Sequence, residues 1–385
     1  MDNDNSRLIR IEAGSLAGRR PRSAGCNARL PVHGQHVQRP FARLTFDDGS
    51  SGFGHSRITK QHAVELLGRL RSELITLEDG VTQDARPVEF ALWDVLGAQA
   101  SKPVYKLIAR AGLNIQGPLR VPCYDTSLYF DDLHLDDEAE AAELMAEEAR
   151  AGQMRGHCAF KLKVGRGALH LPLLEGTRRD IAIIRSVRQA IGPTARLMID
   201  ANNGWNCNIV QWVLAETADC NIYWLEEPFH EDPVLYRHLR AWMQRQGLPV
   251  LLADGEGDAA PSLLQWAREG VVDIIQTDLP SAGITYWRRT GSDLDVCGVQ
   301  SAPHVYGNAF GARAVCHLAT AIERFACAEW DHIDVDGLDA SGYVIEAGCV
   351  RVPDAPGFGM SLDEGTFRRA VETSASGFCV ESSTP

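Results

Sequence analysis

The chain has 385 residues, ten cysteines and a net charge of −13, with 45% hydrophobic and 23% charged residues. That length allows one large barrel with a smaller second domain. The acidity argues against a nucleic-acid or anionic-membrane surface, no apolar run approaches the roughly 20 residues that span a bilayer, and the singly scattered cysteines indicate neither a zinc knuckle nor a disulfide framework.

In chain order, the polar, acidic start Met1-Asp2-Asn3-Asp4-Asn5 lacks the basic residues and apolar core of a secretory signal, so a cytoplasmic location is expected. Strands are expected at 8–11 and 42–46, the latter followed by the turn Asp47-Asp48-Gly49, and helices at 60–70 and 87–96, which together make an α+β module. Between the two strands, residues 22–36 are polar, glycine-containing and long for a plain hairpin, which suggests a functional loop or lid, with a mobile surface loop as the alternative. Arg29, His33 and His36 of this segment are hydrogen-bonding groups suited to a polyhydroxylated or diacid ligand.

From about Leu119 the chain alternates short apolar or β-branched runs with amphipathic stretches, the pattern of βα units and a parallel sheet. The expected strands are 119–124, 158–164, 196–199, 222–225, 250–252, 272–276, 299–302 and 326–329, and eight of them indicate a closed α/β barrel. Helical segments at 180–190, 209–218, 233–246, 262–269 and 309–321 cross back between them. After Trp330 the chain is rich in Gly, Asp and Pro and is expected to pack back on the N-terminal module.

Three of the strand runs end in acids: Leu197-Met198-Ile199-Asp200, Tyr223-Trp224-Leu225-Glu226 and Leu251-Leu252-Ala253-Asp254-Gly255-Glu256. Buried carboxylates are costly unless something positive compensates them, so three that converge point to a hard divalent cation, Mg2+. Strand alternation sends Glu227 to the face opposite Glu226, whereas Asp254 shares the parity of Glu256 and stays open as the third ligand. Lys161 and Lys163, two residues apart, point to one face of their strand. In barrels of this kind function sits at the C-terminal strand ends, which is where all of these groups fall.

Taken in order, Lys161-Leu162-Lys163, Asp200-Ala201-Asn202, Trp224-Leu225-Glu226-Glu227-Pro228, Gly255-Glu256, Asp278 and His304 resemble the enolase superfamily. More narrowly they resemble its mandelate racemase branch, including the acid-sugar dehydratases. Ala91-Leu92-Trp93-Asp94-Val95-Leu96-Gly97 is similar to the helix motif of that family's capping domain, so the resemblance spans nearly the whole chain.

The resemblance implies an α+β capping domain, residues 1–117 completed by 345–385, over a modified TIM barrel of (β/α)7β type at 118–344. It implies that Asp200, Glu226 and Glu256 ligate Mg2+, that Lys163 and a His304–Asp278 dyad transfer protons on opposite faces of a carboxylate substrate, and that Lys161 and Glu329 contact that carboxylate or its enediolate. A neighbouring ammonium and a metal ion are expected to lower the pKa of Lys163 toward neutrality. Asn202 is a candidate contact to substrate or metal water, with Trp205 and Asn206 lining the pocket.

The implied reaction is loss of the α-proton with dehydration of an aldonate or aldarate to a 2-keto-3-deoxy acid. A racemase, epimerase or cycloisomerase of the same superfamily, and a non-catalytic metabolite-binding regulator, are the alternatives. Relatives suggest a symmetric homo-oligomer. A metal-dependent hydrolase on the same barrel would want an HxH on its first strand, where this chain has Val121-Pro122-Cys123-Tyr124-Asp125.

Overall fold

The computed structural model describes residues 6–382, so the polar N-terminal pentapeptide lies outside the described residues. Eight parallel strands form the barrel: Arg120–Leu128, Ala159–Lys163, Arg196–Asp200, Ile222–Glu226, Leu251–Asp254, Ile274–Ile275, Gln300–Ser301 and Ala328–Trp330. Strand 8 pairs with strand 1 through Glu329 opposite Tyr124, and the Ser301–Phe325 bridge joins the residues just before strand 8 to strand 7, which closes the cylinder. Helices Glu138–Met154, Leu173–Ile191, Cys207–Glu216, Pro233–Gln246, Leu263–Arg268, Leu279–Val296 and Ala309–His317 follow the first seven strands in turn. The eighth strand has no such helix after it; there the hairpin Val344–Glu346/Cys349–Arg351 extends the sheet antiparallel to strand 1.

The barrel interior is plugged by one apolar layer. Tyr124, Ala159, Met198, Trp224, Ala253, Ile274, Ala302 and Cys327, one residue in or beside each strand, form a buried cluster in which large and small side chains interleave. Outward-facing strand residues join the main core beneath the helices. The helix 138–154, rich in Ala and Glu, had no counterpart in the expected elements, and its buried stripe is made of alanines and Met145 rather than large apolar residues.

The N-terminal module is a meander whose strands are far longer than expected. Leu8–Ala24 pairs antiparallel with Gly34–Phe46, which pairs with Ser51–His55. The segment expected to be a loop at 22–36 is therefore strand at both ends, and only residues 25–33 form its tip. Pairing on both edges overrides the weak strand propensity of Gly-Arg-Arg-Pro-Arg: Leu8–Ala24 also carries Asp334–Val335 and Phe378–Glu381 on its other side. The C-terminal stretch thus divides its pairing between the N-terminal sheet and barrel strand 1. All ten cysteines are free, and no helix among the described residues is long and apolar enough to cross a membrane.

Helix Glu89–Gln99 is buried on nearly all sides, packing on the N-terminal sheet so closely that a Cβ at Gly52 would lie 2.5 Å from the backbone N of Val95. Its Asp94 accepts hydrogen bonds from Phe53 N at 3.1 Å and Phe358 N at 2.9 Å, tying the sheet to the C-terminal stretch. Asp94→Ala leaves two buried N–H groups unpaired, and the expected cost is about 3 kcal/mol in urea unfolding; a loss below about 0.5 kcal/mol would show that this tie is not structural.

Candidate active site

Two residues beyond the apolar layer, strand alternation returns each side chain to the barrel interior and builds a polar layer directly above it. Its members are Thr126, Lys161, Asp200, Glu226, Gln276, His304 and Glu329, with Gly255 at the fifth strand. Register aligns them: Lys163 is the Cα partner of Asp200, and Asp200 of Glu226. Lys161 and Lys163, Asp200, Glu226 and Glu329 are buried, so each charge must find its partner within the layer.

The partners are close. Lys161 Nζ lies 2.6 Å from Glu226, 3.3 Å from Glu329 and 3.5 Å from Asp200, while Lys163 donates to Asp200. Glu226 also accepts from Gln276 Nε2 at 2.7 Å and from Trp224 Nε1, in the apolar layer, at 3.1 Å. Glu329 accepts from Thr126 Oγ1 at 2.8 Å and Val305 N at 2.7 Å. His304 pairs through Nδ1 with Asp278, which leaves Nε2 to face Glu256 at 3.1 Å and Glu329 at 3.7 Å.

Titration behaviour follows from these contacts. Burial raises the Glu226 carboxyl, the neighbouring Asp200 raises it further, and it reaches about 8 despite Lys161. Burial acts the same way on Glu329, but Lys161 first and then His304 outweigh it and hold Glu329 near 2. For His304 burial lowers the pKa, while Glu256, Glu329 and Asp278 together raise it to about 10. Lys163 is the departure from expectation: burial lowers it, yet Asp200 carries it above the ordinary lysine range. Lys161 lowers it, as expected, but does not outweigh Asp200 among the protein groups alone.

One carboxylate oxygen from each of Asp200, Glu226 and Glu256 lies within 4.8 Å of the others, which suits a single cation. Asn202 Oδ1 is buried beside them without a hydrogen-bond partner, while its Nδ2 donates to Glu256 and Glu227, each at 3.1 Å. Three carboxylates and an unpaired amide oxygen form a hard, all-oxygen donor set, so the residues present fit a divalent cation of the Mg2+ kind. Asp254 is drawn off instead by Tyr236 Oη and Gly255 N, the latter at 2.7 Å, and does not join the cluster. Glu227 corrects the alternation argument: the chain turns left-handed there, at φ 41°, so the strand period ends at Glu226 and Glu227 lines the same cavity as Glu256.

The N-terminal hairpin tip closes the barrel mouth and is held down through its backbone carbonyls: Phe130 N donates to Cys26 O at 3.0 Å, and the His170 side chain meets Asn27 O through Nε2 at 2.8 Å. His33 enters the site, its ring edge-on to Tyr129 at 4.9 Å and Tyr306 at 5.3 Å, with Nε2 buried and without a partner. Burial first, then Lys163, lowers its pKa to about 4 and keeps it neutral. Arg29 stands on the rim of a cavity of about 270 Å³ shared with Asn202, Glu227 and Glu256. His36 is not brought in, because it lies beyond the tip on the strand, opposite Arg19 and exposed to solvent. Asn206 is likewise structural, capping helix Cys207–Glu216 through Asn208 N and Ile209 N.

Sequence reasoning missed Tyr129 and Tyr306, stacked at 5.0 Å as one wall of the site, and Arg39 and His55, which line a cavity with His304 from the cap strands. Tyr306 had a signal, two residues beyond His304; Arg39 and His55 had none, since only the pairing of cap and barrel brings them near.

A capped (β/α)7β barrel with an acid triad, a lysine pair and a His–Asp dyad at its strand ends defines a metal-dependent proton-transfer enzyme class. The Enolase C-terminal domain-like family matches residues 144–366. The chain is 45% identical to a mandelate racemase/muconate lactonizing protein from Geobacillus sp. Y412MC10, solved with magnesium and tartrate, over 99% of this chain and 98% of that one, with a TM-score of 0.96. It is 44% identical to galacturonate dehydratase from Geobacillus sp., solved with D-galacturonate and 5-keto-4-deoxy-D-galacturonate, over 98% and 99% of the two chains, with a TM-score of 0.93. Arabinonate dehydratase from Saccharolobus solfataricus is 26% identical over 292 residues, 73% of this chain and 70% of the relative. The protein belongs to the Enolase C-terminal domain-like family, in the mandelate racemase and muconate lactonizing branch of the enolase superfamily.

Glu226→Gln removes one carboxylate from the cation cluster, and Mg2+ affinity measured by calorimetry is expected to fall at least about tenfold. Unchanged affinity would exclude Glu226 as a ligand.

Proposed function

We propose that the protein is a Mg2+-dependent sugar-acid dehydratase acting on a hexuronate of the D-galacturonate kind. The observation that carries this reading is the clustering of three acids at the ends of strands 3 to 5, Asp200, Glu226 and Glu256, flanked by Lys163 at the end of strand 2 and His304 just beyond strand 7. The 44% identity to a galacturonate dehydratase over essentially the whole chain supports the substrate class.

In a hexuronate the carbon beside the carboxylate is C5, so the general product of this chemistry, a 2-keto-3-deoxy acid, is numbered 5-keto-4-deoxy. Asp200, Glu226 and Glu256 would hold Mg2+, which when bound would supply positive charge for the substrate carboxylate and for the negative charge that develops there. Lys161, fixed by Glu226 and Glu329, places an ammonium on the same side and stays charged, because its carboxylate neighbours hold it well above the lysine range. One of Lys163 and His304 takes the C5 proton; the other protonates the 4-hydroxyl as the C4–O bond breaks and water leaves. The resulting enol then becomes the ketone. Asp278 fixes the His304 tautomer so that Nε2 is the working atom. His33, neutral and unpaired, supplies a hydrogen-bonding group for a sugar hydroxyl, and the Tyr129–Tyr306 wall excludes water.

An intact set of acids, lysines and dyad supports catalysis over ligand sensing. Incubation of the protein with D-galacturonate and Mg2+ is expected to yield 5-keto-4-deoxy-D-galacturonate by NMR. Chelation of the metal is expected to abolish turnover, and added Mg2+ to restore it. Conversion of aldonates or aldarates but not of any hexuronate would move the substrate class; inversion at C5 without loss of water would make the enzyme an epimerase.

A further inference from the structure

Strand alternation leaves Cys123 and Asp125 of strand 1 pointing out of the barrel, since Tyr124 and Thr126 point in. Asp125 sits at the closure seam, with Trp330 of strand 8 as its Cα partner on one side and Phe160 of strand 2 on the other. His157 precedes strand 2 and His332 follows strand 8, so all three residues meet where the barrel lacks its eighth helix. One ligand atom from each lies within 4.8 Å of the others, and the two imidazole Nε2 atoms are 2.8 Å apart. Asp125 and His157 are buried and His332 is half-buried.

We propose that Asp125, His157 and His332 bind a divalent transition metal of the zinc class, at a site separate from the acid triad inside the barrel. Two imidazole nitrogens and one carboxylate are borderline ligands that suit Zn2+, Co2+ or Ni2+ and not Mg2+. The supporting contacts are those such a site needs. Ser127 N and Arg155 fix the Asp125 carboxylate at 2.9 and 3.1 Å, and Cys123 Sγ lies 3.8 Å from His157 Nδ1. A cavity of about 20 Å³ beside His332, bounded by Arg155, Tyr306 and Asp331, has room for about one water. The ion would staple strand 8 to strands 1 and 2 and so lock the seam.

The test is metal analysis of protein stripped with chelator, reloaded with Zn2+ in millimolar Mg2+ and desalted. The wild type is expected to retain one equivalent of zinc, and His332→Ala and His157→Gln less than about 0.1. Both variants should keep Mg2+-dependent turnover, and Co2+ in place of Zn2+ should give visible absorption in the wild type alone. Zinc absent from the wild type, or retained equally by both variants, would overturn the site and leave a His157–His332 hydrogen bond in its place.

Discussion

Everything at the active end of this molecule rests on the step of two residues from the apolar layer to the polar layer. Tyr124, Met198 and Trp224 fill the cylinder below, and Thr126, Asp200 and Glu226 follow on the same face above. The plug denies water a path from beneath, so the charges above it interact in a low-dielectric setting with fixed neighbours. A one-residue slip in any of these strands would turn its acid or lysine out toward the helices. The strands at Ile274–Ile275 and Gln300–Ser301 are short, and their polar residues Gln276 and His304 lie just beyond the strand ends, two residues after the plug residues Ile274 and Ala302.

That packing forces an electrostatic balance. Two buried ammonium groups and three buried carboxylates from strands 2, 3, 4 and 8 stand within salt-bridge distance of one another. Each is tolerable only through the others, and removing one partner leaves an uncompensated buried charge. The opposite displacements of Glu226, to about 8, and Glu329, to about 2, express this: the former faces Asp200, the latter faces Lys161 and His304. A divalent charge on the acid triad would relieve the crowding around Glu226 and loosen the hold of Asp200 on Lys163.

Much of this was legible in the sequence because the barrel's rule is local. An apolar run ending in Asp200 or Glu226 states both the strand and the direction of its last side chain, and Lys161 and Lys163 share that face by spacing alone. What escaped the sequence depends on long-range pairing. The stretch Gly18-Arg19-Arg20-Pro21-Arg22 has no strand signature, and becomes strand only because Gly34–Phe46 and the C-terminal residues flank it. That lengthening shrank the expected loop, carried His36 away from the site and left His33 at the tip. Glu227 escaped because its left-handed turn ends the alternation one residue early, and the seam residues His157 and His332 because 175 positions separate them.

The central claim is that Lys163 and His304 serve opposite ends of one elimination. Following C5 deuteration and product formation from D-galacturonate in D2O, with Lys163→Ala and His304→Asn beside the wild type, tests it most directly. Both variants are expected to lose product formation by about 10²–10⁴-fold, and only the one that keeps the base is expected to exchange the C5 proton. Product formed at the wild-type rate by either variant, or exchange undiminished in both, would contradict the account.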